Sequence, residues 1–208
     1  MNEPVRVVIV DDHESIRNLF EYEFRPENGF EVVASIASAD NAELVCHAKH
    51  PALIVMDVCT EGGASGLDAA ENILRKFPGV KIIMTSGFDE FSYSSRAREV
   101  GAHAFVYKIE SSSYYRDVAE KVLAGETVFP EPKKIPLPTG EAPFTSREME
   151  ILRLKCKCMK NADIASNLFI SELTVNRHIQ NMLQKSGFAS IAELMMYVVS
   201  NGWINPNF

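Results

Sequence analysis

Short apolar runs rich in β-branched residues recur through the first half of the chain, at residues 5–10, 30–36, 53–56, 81–84 and 104–107. Runs of this length suit strands buried on both faces. Between them lie amphipathic stretches of helical period. Ile16, Leu19, Phe20 and Phe24 fall on one face of the first, Ile73, Leu74 and Phe77 on one face of the third, and Val118, Val122 and Leu123 mark the last. Strand–helix units in succession predict an α/β fold, a doubly wound five-stranded parallel sheet covered on both faces, over residues 1–125.

The alternation then stops. Residues 126–142 and the position after them carry Pro130, Pro132, Pro136, Pro138 and Pro143. Proline holds itself and its predecessor in extended or turn geometry, so this stretch reads as a semi-rigid linker. From 143 to 208 the pattern is helical throughout. Thr145-Ser-Arg-Glu148 fits a capping box, with Phe144 and Met149 placed as a hydrophobic staple. That helix is expected to run to about Cys158. A second follows over about 161–168, a third after Ser171 to about Lys185, and a fourth from a second capping box, Ser190-Ile-Ala-Glu193, to about Asn201. The whole is a small all-α, four-helix domain behind a larger α/β one.

Composition adds two constraints. Hydrophobic residues make up 46% and charged residues 24%, an ordinary globular balance, and no apolar run has the length of a membrane span. The first apolar stretch runs straight into Asp11 and Asp12, unlike a secretory signal, which points to the cytoplasm and no membrane. Cys46, Cys59, Cys156 and Cys158 are then expected as free thiols. Cys156 and Cys158 lack a second ligand pair at zinc-site spacing. The net charge of -7 is unevenly spread: 14 basic against 23 acidic side chains in residues 1–142, and 7 against 5 in residues 143–208. An acidic front and a mildly basic back suggest two domains with different partners.

In an open parallel sheet, ligands bind beyond the carboxyl ends of the strands, where the winding reverses. Those ends carry Asp11 and Asp12, Asp57, Thr85 and Ser86, and Lys108. Three clustered carboxylates repel one another and call for a hard, oxygen-liganded cation such as Mg²⁺. A carboxylate can also act as nucleophile toward phosphorus, with cationic groups neutralising the phosphoryl oxygens. Taken singly, Asp12 reads equally as a helix cap, Lys108 as a solvated surface residue and Thr85 as a strand former. Joint placement on four strand ends is what points to function.

This arrangement resembles the receiver domains of two-component systems, which have a flavodoxin-like fold. The resemblance implies that Asp57 accepts a phosphoryl group from a histidine kinase or a small phosphodonor. It implies that Asp11, Asp12 and Asp57 hold Mg²⁺ with the backbone carbonyl of Cys59, and that Thr85 and Lys108 bind the phosphoryl oxygens. Thr85 and Phe105 would form the aromatic switch, although Phe105 also suits a plain buried strand position. The segment Asp57-Val-Cys-Thr-Glu-Gly-Gly-Ala-Ser-Gly66 departs from the family. It lacks a Met-Pro pair and is about one residue longer, and its glycines read as loop flexibility. Ile109 stands where receivers often have proline.

In the second domain, a helix, a tight turn and a further helix over 162–184 can present the latter to a major groove. Ala165 is small, as close helix packing requires, and Ile164, Leu168, Ile170, Val175, Ile179 and Leu183 are the expected core stripe. The outward face of the third helix carries Thr174, Asn176, Arg177, Gln180, Asn181, Gln184 and Lys185. Arg reads guanine and Asn or Gln reads adenine, but a polar face is equally a solvated one. The blocks Phe144-Thr-Ser-Arg-Glu148, Asn161-Ala-Asp-Ile-Ala165, Leu168 to Val175, and His178-Ile179 resemble the LuxR-type helix-turn-helix. With the receiver they resemble the NarL/FixJ response regulators. That resemblance implies double-stranded promoter DNA as partner and a homodimer on activation. It makes Asn176, Arg177 and Gln180 the foremost base-reading candidates and gives His178 a structural place. Cys158 stands where the family often has glycine, which implies a stiffer turn. The function expected is a DNA-binding transcriptional regulator switched by phosphorylation of Asp57, not a conventional enzyme. The alternatives are an orphan regulator that works without phosphate and a Mg²⁺-dependent phosphatase-like enzyme.

Overall fold

A computed structural model describes residues 3–60, 64–87, 91–131, 137–140 and 144–205. The chain divides into two compact units, residues 1–132 and 133–207. In the first, strands β1 (Val5–Val10), β2 (Phe30–Ile36), β3 (Leu53–Asp57), β4 (Lys81–Ser86) and β5 (Ala104–Tyr107) form one sheet in the order β2-β1-β3-β4-β5. Every pairing is parallel. The doubly wound five-stranded sheet expected from the apolar runs is therefore present. β3 and β4 extend further than the apolar runs, taking in Asp57, Thr85 and Ser86 as strand residues, because ladder pairing continues past the last apolar side chain.

Strand residues alternate between two cores. Val8, Val10, Ile54, Met56, Ile82, Met84 and Phe105 face one cluster, closed by α2 (Ala42–Lys49), α3 (Gly66–Lys76) and α4 (Phe91–Glu99). Val7, Ile9, Leu53, Val55, Ile83 and Val106 face the other, closed by α1 (Glu14–Glu23) and α5 (Ser112–Leu123). Removing both faces of the inner strands from water is the main stabilising term, at about 25 cal/mol per Å² of apolar surface; the edge strand β2 is buried only at Phe30 and is otherwise half-buried or exposed. On α1 the buried edge is Phe20 and Glu23, with Phe24 just beyond; Leu19 lies outward. Buried Glu23 faces Arg116 of α5 at 3.7 Å.

After α5 the chain is not simply extended. Val128 bridges to Ala104 in parallel, accepting from the Phe105 N–H at 2.9 Å and donating to His103 O at 3.0 Å. Arg98 of α4 stacks over the Phe129 ring at 4.1 Å. Of the linker prolines, Pro132, Pro136 and Pro143 lie outside the described residues.

The second unit contains α6 (Ser146–Cys156), α7 (Asn161–Asn167), α8 (Glu172–Ser186) and α9 (Ile191–Ser200). The capping box at Thr145 is complete: its side chain accepts from the Glu148 N–H at 3.2 Å, and Glu148 Oε2 accepts from the Thr145 N–H at 2.8 Å. Phe144 and Met149 are both buried, as a staple requires. The box expected at Ser190 is only half formed. Ser190 Oγ accepts from Glu193, but the Glu193 carboxylate accepts from Ala189, one residue too early for reciprocity. On α8 the buried residues are Val175, Ile179, Met182 and Ser186. Met182 thus takes the place expected of Leu183, which is half-buried, because the contact follows a step of three at that turn.

Helices α6 and α7 end alike. The residue after each cap, Cys158 with φ 60° and Phe169 with φ 53°, is left-handed. In each, two backbone bonds close the end: Cys158 to Lys155 and Met159 to Leu154, then Phe169 to Ser166 and Ile170 to Ala165. This motif ordinarily takes glycine, and a side chain there costs about 1 kcal/mol. Cys158→Gly is therefore expected to raise the stability of the second unit by up to about 1 kcal/mol, read by chemical denaturation; a decrease would show that the turn carries no strain.

Candidate phosphoacceptor site and nucleic-acid interface

The sheet order places the winding reversal between β1 and β3, so the first crevice residues are those ending these strands. Asp11 follows β1 and is fully buried, and Asp57 ends β3 and is nearly so. The β3–β4 register sets Thr85 beside Asp57. Lys108 follows β5, its N–H donating to Ser86 O at 2.8 Å. Its ammonium reaches both carboxylates, 2.7 Å from Asp11 Oδ2 and 2.8 Å from Asp57 Oδ2.

Burial pushes the Asp57 carboxyl up to about 6, against the charge and hydrogen bond of Lys108 and the Cys59 N–H; the Asp11 carboxylate adds to the rise. For Lys108, burial alone would favour the neutral amine, but Asp57 and Asp11 outweigh it and hold the ammonium charged. Thr85 Oγ1 is buried and has no hydrogen-bond partner among the described residues. A buried hydroxyl without a partner costs stability, so its natural complement is a polar ligand.

Asp12 is more exposed than Asp11 and stands at the mouth of the site. His13, which sequence reasoning passed over, lies with its Nδ1 2.7 Å from Asp12 Oδ1 and 3.3 Å from Asp11 Oδ1. The ligand atoms of Asp11, Asp12, His13 and Asp57 all fall within 4.8 Å of one another, so the acidic pocket can hold a metal ion. An oxygen-rich donor set of this kind fits a hard divalent cation. Arg17 Nη1 bonds the carbonyls of Asp11 and Asp12, at 2.8 and 3.1 Å, and fixes the loop that carries them. The only signal for either residue was nearness to the acidic pair.

Phe105 is buried, its ring 5.2 Å from that of Tyr107. Cys59 is half-buried and pairs as an isolated bridge with Ser65. Of the glycines read as flexibility, Gly62 and Gly63 lie outside the described residues. Gly66 has a different cause. It opens α3, its N–H donates to Val58 O at 2.9 Å, and a Cβ there would run into the Asp57 carbonyl oxygen. Close backbone approach demands glycine and seats α3 against the acceptor strand.

On α8, Asn176, Arg177, Gln180, Asn181 and Gln184 are exposed, and Thr174 and His178 are half-buried. Asn176 Oδ1 accepts from Asn161 Nδ2 at 2.7 Å, which occupies the acceptor half of the amide. Lys185 does not point freely into solvent. Its ammonium lies 2.7 Å from Glu148 Oε2, and its carbonyl accepts from the Thr139 hydroxyl. Glu148 is 3% exposed. Burial would raise its pKa, but the hydrogen bonds of Lys185 and Thr145 and the Lys185 charge prevail and lower it. The cysteines are free thiols.

A parallel sheet gathering carboxylates, a hydroxyl and an ammonium at its carboxyl edge, followed by a helix-turn-helix unit, defines a receiver joined to a DNA-binding module. Residues 7–118 match the response regulator receiver domain, and residues 142–198 match the luxR family of bacterial regulatory proteins. The response regulator VraR of Staphylococcus epidermidis is 30% identical over 208 residues, covering 96% of this chain and 99% of that one. RcsB of Salmonella typhimurium superposes with a TM-score of 0.61 at 18% identity, over 96% of this chain and 100% of RcsB. A structure of two RcsB dimers bound to two parallel DNAs gives 0.64, also at 18%, over 95% and 98%. The chain belongs to the NarL/FixJ family of two-component response regulators, transcription regulators that join a receiver to a LuxR-type helix-turn-helix.

Two outcomes follow from the packing. Gly66→Ala is expected to destabilise the first unit by about 1–3 kcal/mol, seen as a lower urea midpoint; an unchanged midpoint would mean that α3 is not held against Asp57. Glu148→Gln is expected to cost about 1–2 kcal/mol at neutral pH. The folded pKa of Glu148 is depressed, so its contribution is present above the ordinary value of 4.5 and is lost as pH falls through the lowered one. The variant's deficit should shrink on acidification below 4.5, and a deficit constant with pH would contradict the pairing.

Proposed function

We propose that Asp57 is the phosphoacceptor and that its phosphorylation switches the helix-turn-helix between weak and strong binding of double-stranded promoter DNA. The observation that carries this is the convergence on Asp57 of a charged Lys108, a neighbouring Thr85 hydroxyl with no partner among the described residues, and the carboxylates of Asp11 and Asp12. Asp11, Asp12, Asp57 and the Cys59 carbonyl would hold Mg²⁺, which when bound neutralises charge on the transferring group.

In this reading an Asp57 Oδ forms the new bond to phosphorus as the bond to the donor breaks. The leaving group is the imidazole nitrogen of a histidine kinase or the carboxylate of a small acyl phosphate. Lys108 moves its contact from Asp57 Oδ2 to a phosphoryl oxygen, and the Thr85 hydroxyl donates to another. The added charge, about −1.5 to −2, biases Thr85 and Phe105. Phe105 also holds Val128 through its backbone N–H, so the start of the linker registers any shift of β5. A homodimer then binds a two-fold site; RcsB has been seen as dimers bound to DNA. Asn176, Arg177 and Gln180 read bases, with Thr174, Asn181 and Gln184 beside them; Lys185 reaches a phosphate only by giving up its contact with Glu148. The regulator turns over no substrate besides its own phosphoryl group. It works in the cytoplasm; no helix among the described residues is long and apolar enough to cross a membrane.

Incubation with a small phosphodonor and Mg²⁺ should label the wild-type chain and leave Asp57→Asn unlabelled, and Mg²⁺ removal should abolish labelling. Fragment selection at fixed salt should show DNA affinity rising with phosphorylation in the wild type alone. Equal labelling of both chains would remove Asp57 from the role. Affinity indifferent to phosphate would leave an orphan regulator instead.

A further inference from the structure

Among the exposed residues of α8, one is out of keeping. Leu173 is 79% exposed. It heads a stripe at helical spacing whose further members, Asn176, Arg177, Gln180, Asn181 and Gln184, are all exposed and all polar. The opposite edge, Val175, Ile179 and Met182, supplies the packing of the helix, so Leu173 contributes nothing to the core.

The first turn of α8 leaves few side chains available for contact. Ser171 Oγ accepts the Thr174 N–H at 3.1 Å and bonds the Thr174 hydroxyl at 2.8 Å, so both hydroxyls are engaged in capping the helix. The first turn of a recognition helix is the part that meets base edges. There Leu173 has no polar atom to offer and a whole isobutyl group to bury.

Only one base displays an apolar group in the major groove, the C5-methyl of thymine. We infer that Leu173 is a specificity-determining residue that packs against a thymine methyl, so that each half-site carries a thymine next to the bases met by Asn176 and Arg177. This rests on the DNA-binding reading above and narrows it. Every other member of the stripe acts by hydrogen bonding, whereas Leu173 selects by burial, which ionic strength hardly affects.

The test uses the full chain with phosphodonor and Mg²⁺. A fragment obtained by selection is remade with each thymine in turn replaced by uracil, which removes the methyl alone. Wild type should lose about fourfold in affinity at one position per half-site, the value of about 0.8 kcal/mol for one buried methyl. Leu173→Ala, an exposed change to a better helix former, should bind the thymine and uracil fragments equally while keeping its preference at other positions. Wild type indifferent to every uracil, or Leu173→Ala as sensitive as wild type, overturns the inference and leaves the DNA-binding reading standing. A chain that selects no fragment at all overturns both.

Discussion

Two carboxylates buried side by side at the end of a parallel sheet need a compensating positive charge or a proton. Asp11 just past β1 and Asp57 at the end of β3 stand at the ends of adjacent strands, where their mutual repulsion is screened by little water. Lys108, delivered by β5 from the far side of β4, meets both at once. That single ammonium ties the first, third and fifth strands together at the crevice. The arrangement is close to balanced: desolvation of the ions opposes their attraction, and the Asp57 carboxyl sits near 6 as a result.

The surroundings preserve that poise. Arg17 fixes the Asp11-Asp12 loop by its carbonyls, and Gly66 allows α3 to press on the acceptor strand. Neither touches the carboxylate oxygens, yet both determine where they lie. Val128, bonded to the backbone on either side of Ala104, makes the chain leaving the receiver part of the same sheet edge.

In the second unit a buried acid again organises the packing. Glu148 closes the capping box of α6 and receives Lys185 from α8, so one carboxylate serves both a helix end and a helix–helix contact. Lys185 was legible in the sequence as a basic residue on the outward face of α8. Its engagement with Glu148 was not, because the two are 37 residues apart and only the fold brings them together. Leu19 and Leu183 were misjudged for a related reason. At 3.6 residues per turn, neighbouring positions compete for the edge of a buried face, and the opposing helix decides. Ser190 shows a narrower limit, since the residues of a capping box were present and the carboxylate bonded one position earlier.

By itself the sequence determined the strands, their order of appearance, the polar residues at four of the five strand ends and the helical punctuation of the second unit. These follow from local periodicity and capping chemistry, which act over a few residues. The tertiary structure alone decided that Lys108 spans two carboxylates, that the Thr85 hydroxyl is buried with no partner among the described residues, that Gly66 is demanded by close approach, and that Leu173 is exposed. Those facts depend on side chains distant in sequence competing for the same space and charge, and no local pattern records the outcome of that competition.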